Sequence, residues 1–481
     1  MAEIDPKQVE EIVAQVVRNL RDDGPVISPT PTPPLSRTPD SIVHATVDQA
    51  VAAAKAAQIE LVALGFAKRI EIIEAIRTAS LEHATRLAEL AVNDTDMGTA
   101  EHKTMKNEAA ARLSPGVEDL QSESTTGDSG LLLVEYAQFG VINSITPTTN
   151  PTSTVINHAI IMLAAGNSVV FSPHPNALAC TEETMRVINE AIVKAGGPSN
   201  LLTSVAQASL RTAKEIMSHP DVSMLVATGG GSVVRAALSS GKKAIAAGPG
   251  NPPAIIDETA DVKKAANDVI LGASFDNNLL CVGEKALFVV ESVADEAISE
   301  LTQNGGHLIG TGELNKLQNV VDKSGDVNRE FIGKNATAIL GAAGINAPAN
   351  TVIIVVEVSA DHPFVINEYL MPILPVVRVS DFNEAVKGAT AADGGRKHTI
   401  VLHTNNMARV TQFTKAINAN VVVVNAPSYA CAAIDGEGFL AMTIAGPTGE
   451  GYTRPRTFTT RRQLTVAGGL SIHTLRNTSG K

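Results

Sequence analysis

A chain of 481 residues, 44% hydrophobic and 18% charged, has enough apolar material for sizeable buried cores, so wholesale disorder is excluded and two or three domains are expected. Its 38 Lys+Arg against 50 Asp+Glu leave a net charge of −12, and with no Trp and four Tyr it lacks the basic surface and stacking aromatics of a nucleic-acid binder. The acidic start MAEIDPKQVEE is not a secretory signal, no run reaches the ~18 apolar residues of a membrane span, and Cys180, Cys281 and Cys431 are too scattered for a disulfide framework or zinc ribbon. The expectation is a soluble, cytoplasmic protein without nucleic acid, membrane or metal as partner.

In chain order, the first predicted element is an amphipathic helix over residues 5–20. Val9, Ile12, Val13, Val16, Val17 and Leu20 recur at steps of 3, 1, 3, 1 and 3, which places them on one stripe. Pro25, Pro29, Pro31, Pro33, Pro34 and Pro39 follow and forbid helix interior or central strand, so 21–40 reads as an extended linker. The apolar stripe docks either on the chain's own domain or on another protein; residue physics leaves both open.

Residues 46–113 read as helices. From Gly140 short apolar strands alternate with helices: strands Val141–Ile145, Ser168–Phe171, Leu201–Val205, Ser223–Ala227 and Lys243–Ala247, helices Ser153–Ala165, Ala177–Ala195, Leu210–Ser218 and Ser232–Ser239. A second set follows, with strands Ala286–Val290, Thr351–Val356, Pro375–Val379, Thr399–His403 and Val421–Val424. This alternation predicts two doubly wound parallel α/β units that meet near Pro252–Asp257.

Three segments carry candidate chemistry. Thr228-Gly229-Gly230-Gly231 ends a strand and opens a helix; it is either a tight turn or a phosphate cradle, and its spacing is not GxGxxG. Gly248-Pro249-Gly250-Asn251 ends the next strand, and two glycine clusters at adjacent strand ends suggest a dinucleotide cleft. Cys281, after Asp276-Asn277-Asn278, is either a small core residue or a nucleophile at an exposed loop end facing the cleft. Cys180 reads as core, and Cys431 is the reserve nucleophile. Asn150, in Pro147-Thr148-Thr149-Asn150-Pro151, is either a helix cap or an amide donor to an oxyanion.

Together the segments GVINSITPTTNPTST, ASFDNNLLCVGEK, NEYLMPILP and TIAGPTGEGYTRPRTF resemble the aldehyde dehydrogenase superfamily over roughly residues 41–481. Within it the chain is similar to the CoA-acylating enzymes of bacterial microcompartments. The resemblance implies an aldehyde dehydrogenase-like fold: a cofactor-binding domain at 41–252 with an oligomerisation arm at 118–139, a catalytic domain at 253–447, and a C-terminal oligomerisation segment at 448–481. It implies Cys281 as nucleophile and Asn150 as oxyanion donor, with Thr149 as an alignment rival. Glu368 would bind the nicotinamide ribose, Thr228, Gly229 and Gly230 would lie under the pyrophosphate with Gly250 beside the cofactor, and Ser172 stands where relatives contact the adenosine ribose. NAD and coenzyme A are the implied cofactor and co-substrate, a short-chain aldehyde (propanal, then acetaldehyde) the substrate, and a homodimer or homotetramer the assembly. It also implies that residues 1–20 address the enzyme to shell proteins inside a microcompartment.

One departure is informative. Hydrolytic members carry a Glu that activates water, where this chain has Ala247-Gly248-Pro249-Gly250-Asn251. Water needs a general base to cleave a thioester quickly, whereas a thiol, with an ordinary pKa near ~8.5, attacks it readily. Loss of the carboxylate therefore favours transfer to CoA. The rivals are a hydrolytic aldehyde or semialdehyde dehydrogenase, with His398 as its nearest base, and a shell-binding scaffold without turnover. Arg454, Arg456, Arg461 and Arg462 form a basic run that serves either CoA phosphates or salt bridges within the arm.

Overall fold

The computed structural model describes residues 42–470 apart from Ser324. The helix expected at 5–20, the linker at 21–40 and the end of the 448–481 segment lie outside the described residues.

Two all-parallel sheets organise the structure. The first has six strands in the order Val43–His44, Leu202–Val205, Ser168–Ser172, Val141–Ile145, Val222–Thr228 and Lys243–Ala247. Its side chains alternate between two cores. Ile142, Val169, Phe171, Met224 and Val226 pack under the fully buried helix Pro151–Ala164, while Val141, Ile145, Val170, Leu225 and Ala227 pack under helix Val47–Ala63. Burial on both faces is what a parallel sheet between helices requires. The chain winds outward from Val141–Ile145 to one side, then returns to add Val222–Thr228 on the other. The topological switch point therefore lies between these two strands, and the crevice at their carboxyl ends is flanked by Thr146–Asn150 and Thr228–Gly230.

The second sheet has seven strands in the order Gly306–Ile309, Ile353–Glu357, Ile373–Val379, Ala286–Val290, Pro253–Ile256, Thr399–His403 and Val421–Val424. Pro253–Ile256, expected as a mere junction, lies inside this sheet and pairs on both sides. Only the residues 248–252 separate the carboxyl end of Lys243–Ala247 from the amino end of Pro253–Ile256. This short connection sets the carboxyl edge of the first sheet toward the amino edge of the second.

A three-stranded antiparallel sheet joins Glu123–Gly127, Gly130–Gln138 and Thr459–Ala467, bringing the 118–139 arm and the C-terminal segment together. Arg454 and Arg456 both pair with the buried Asp119, and Arg461 pairs with Glu123. Three of the run's four arginines are thereby paired with carboxylates of this chain. Among the described residues no single helix is long and apolar enough to cross a membrane.

Candidate active site

Four neighbouring strands of the second sheet deliver their amino-terminal loops to the cleft: Gly250 precedes Pro253–Ile256, Cys281 precedes Ala286–Val290, Glu368 precedes Ile373–Val379 and His398 precedes Thr399–His403. Gly250 packs so closely that a Cβ there would lie 2.7 Å from the Cys281 carbonyl oxygen and 3.1 Å from His398 Cγ. Its N–H donates to the Glu368 carboxylate. Cys281, Gly250, Glu368 and His398 therefore form one cluster.

Cys281 is half-buried, and the loop before it is not the exposed turn its Asp-Asn-Asn composition suggested. Asp276, Asn277 and Asn278 are buried with φ of 48°, 56° and 64°, a left-handed run that Asn and Asp tolerate better than other side chains. Each is tied down. Asn277 donates to Gly333 O and Asn335 Oδ1, both at 2.8 Å, and Asn278 donates to Glu284 O at 3.0 Å. Lys285 reaches back to Asn278 O at 2.6 Å and Leu280 O at 3.0 Å, while Glu284 accepts from Ser428 N and Oγ.

Burial pushes the Cys281 thiol up to about 11, with the Glu368 charge adding to the rise and Lys285 opposing it. Burial likewise raises Glu368 to about 7 against the pull of Lys285 and Arg396. His398 is buried, its Nδ1 bonded to Thr399 Oγ1 at 2.8 Å and its Nε2 without a partner among the described residues, and burial lowers it to about 4. Such a weak base is neutral across the physiological range. Cys180 is fully buried and bonded to Ala177 O, as expected of a core residue. Cys431 packs in the same apolar cluster as Cys281, and burial pushes its thiol to about 12.

Asn150 comes from the first sheet's side. It occupies the N-cap position of helix Pro151–Ala164, yet its side chain caps nothing. Instead Oδ1 accepts from Lys106 Nζ at 2.5 Å and Nδ2 donates to Thr149 Oγ1 at 3.1 Å. Thr149 offers its carbonyl oxygen to Lys103 at 3.1 Å. Lys103 and Lys106 are themselves buried and both bind Asp276 Oδ2, so the nucleophile's loop and Asn150 share one ion cluster. Burial pulls Lys106 down to about 7 against the attraction of Asp276. Sequence reasoning alone misses these lysines.

Also on the first sheet's side, Gly229 and Gly230 border open space: a Cβ added at either would have nothing within 4 Å. Helix Gly231–Leu238 begins here without a side-chain cap, so its first N–H groups are left for an anion. Thr228 Oγ1 is bonded to Thr443 Oγ1 at 2.8 Å, and Thr443 in turn to the buried His158. Ser172 stands at the carboxyl end of its strand, but it is buried and its hydroxyl accepts from Asn143 Nδ2 at 2.9 Å. The uncapped, glycine-lined rim fits the pyrophosphate of a dinucleotide; Ser172 offers only its remaining O–H.

The profile of the aldehyde dehydrogenase family matches residues 18–437. The chain belongs to that family, on its CoA-acylating branch. It is 43% identical to the acetaldehyde dehydrogenase (acetylating) EutE of Salmonella typhimurium over 97% of this chain and 99% of that one. A propionaldehyde dehydrogenase from the Clostridium phytofermentans fucose utilisation bacterial microcompartment superposes with a TM-score of 0.89 at 43% identity, over 90% of this chain and 100% of that one. The Rhodopseudomonas palustris propionaldehyde dehydrogenase, solved with bound CoA and an acylated cysteine, also gives 0.89 at 43% identity, over 90% and 99%.

Proposed function

We propose that the protein oxidises a short-chain aldehyde, propanal first and acetaldehyde next, to its acyl-CoA. Cys281, its proton released to solvent, attacks the carbonyl carbon through Sγ, and the resulting oxyanion is held by Asn150 Nδ2–H and the Cys281 N–H. Thr228, Gly229, Gly230, Gly250 and Glu368 would hold NAD, which when bound would supply the hydride acceptor that turns the Cys281 adduct into a thioester. The CoA thiol then takes the acyl group and Cys281 recovers its proton. The observation that carries this reading is the Gly248–Asn251 turn. The turn contributes no carboxylate of its own where it lies against the Cys281 main chain, and burial leaves the neighbouring His398 a weak base.

Glu368, raised to about 7 beside the thiol, favours one second reading, hydrolysis to the free acid with Glu368 as base. Product analysis with propanal and NAD, with and without CoA, separates the two. Propanoyl-CoA should form only with CoA, free propanoate should stay below about a tenth of it, and Cys281→Ala should abolish both; fast CoA-independent propanoate formation would establish hydrolysis.

The outer edge of the arm's strand Thr459–Ala467, unpaired among the described residues, supports a homodimer or homotetramer built through the arm. The amphipathic stripe at 9–20, and the microcompartment origin of a relative, support residues 1–20 as an address to shell proteins and a place inside such a compartment. Deleting residues 1–24 should leave turnover unchanged while the protein no longer co-purifies with intact compartments; loss of turnover would instead dock that helix on its own domain.

A further inference from the structure

Helix Ala100–Leu113 turns a charged stripe inward. Lys103, Lys106 and Asn107 are 2%, 3% and 0% exposed, and each grips the segment that opens helix Pro151–Ala164. Lys103 binds Thr149 O, Lys106 binds Asn150 Oδ1, and Asn107 Oδ1 accepts from Thr152 Oγ1 at 2.7 Å. Burying two ammonium groups beside one carboxylate is costly, and apolar residues would hold the helices together at least as well. The arrangement therefore calls for a role beyond packing.

In its ammonium form, which the bond to Asp276 favours against the pull of burial, Lys106 only donates. The Asn150 atom that faces Lys106 must be the carbonyl oxygen, and the amide's NH2 is forced to the other side. A charge-assisted bond to Oδ1 also draws electron density toward that oxygen and makes the N–H groups stronger donors. We propose that Lys106 is a positioning residue of the reaction: it fixes the orientation of the Asn150 carboxamide and strengthens the N–H presented to the oxyanion. Asp276 completes the device. It binds Lys103 and Lys106 and accepts from Thr99 N at 2.9 Å, and it sits five residues before Cys281, so the oxyanion donor and the nucleophile are set against each other through one buried cluster. The inference rests on Asn150 being the oxyanion donor.

The experiment is a double-mutant cycle on the pre-steady-state burst of NADH with propanal, alongside the limiting, high-pH rate at which iodoacetamide alkylates Cys281, a rate that the Lys106 charge acting on the thiol does not move. Alkylation develops no oxyanion, so it reports an intact nucleophile loop without calling on Asn150. Lys106→Met should slow the burst on the order of 10- to 100-fold and Asn150→Ala on the order of 100-fold, the double variant should be no slower than Asn150→Ala, and alkylation should change less than about twofold. Lys106→Gln, a neutral donor of similar reach, should recover part of the burst and serves if the Met variant does not fold. Additive losses, or alkylation falling in step with the burst in both Lys106 variants, would overturn the role of Lys106. A full burst in Asn150→Ala would overturn the oxyanion reading itself, a result the single Lys106 variants do not produce.

Discussion

A side chain added at Gly229 or Gly230 would meet open space, whereas one added at Gly250 would press on the Cys281 carbonyl oxygen at 2.7 Å. These glycines lie on the two rims of one cleft, and their contrast extends to the residues around them. The first sheet's rim leaves helix N–H groups uncapped. On the second sheet's rim, three successive left-handed residues, each costing about 1–3 kcal/mol in strain, are held by Lys103, Lys106, Lys285, Gly333 and Asn335. A dinucleotide that enters and leaves at each turnover needs room, and an anion-binding helix end suffices to seat its phosphates. A nucleophile and its oxyanion donor need fixed distances, since a misplacement of about 1 Å costs on the order of 10²-fold in rate.

The two glycine clusters give the sharpest test of that difference. Gly250→Ala should displace the Cys281 carbonyl and lower kcat on the order of 100-fold, read from steady-state NADH formation with CoA saturating. Gly230, with φ −63° and ψ 159°, sits in a conformation any residue adopts. Gly230→Ala should therefore change kcat by less than about threefold, any loss falling on KM for NAD. Equal losses in kcat at both positions would erase the distinction between a roomy rim and a locked one.

Much of the first rim was legible in the sequence. Strands Val141–Ile145 and Lys243–Ala247 form as expected, because short apolar runs bounded by turn residues leave little choice of register. Gly229 and Gly230 announced themselves by composition. The second rim was legible only in part. Cys281 and the missing carboxylate of 247–251 stood out, but Pro253–Ile256 hid behind the prolines and glycines before it, and Gly306–Ile309 carries only two large apolar residues. Lys103 and Lys106 were invisible for a more physical reason. Helix AEHKTMKNEAAARL reads as a solvated charged face, and the partner that lets its lysines be buried, Asp276, lies about 170 residues away. The one available signal was the spacing of Lys103, Lys106, Asn107 and Ala110 along a single stripe. Charge satisfied by tertiary contact leaves no local pattern.

The rims also differ in charge, and there the expected effect is smaller. Cys281 is raised to about 11 by burial first and by the Glu368 carboxylate second, while Lys285 opposes. Glu368 itself titrates near 7, so as pH rises through that range it acquires the negative charge that makes a neighbouring thiolate harder to form. Glu368→Gln removes this charge at every pH. The pH at which iodoacetamide alkylation of Cys281 reaches half its limiting rate should therefore fall by about 0.5–1 unit. Lys285→Met removes the opposing ammonium and should move the midpoint upward; it also frees the Asn278 and Leu280 carbonyls, so a loosened loop would show as a lower limiting rate rather than a shifted midpoint. An unmoved midpoint in both variants would mean that neither charge sets the thiol, and that the locked rim differs from the open one in geometry and not in charge.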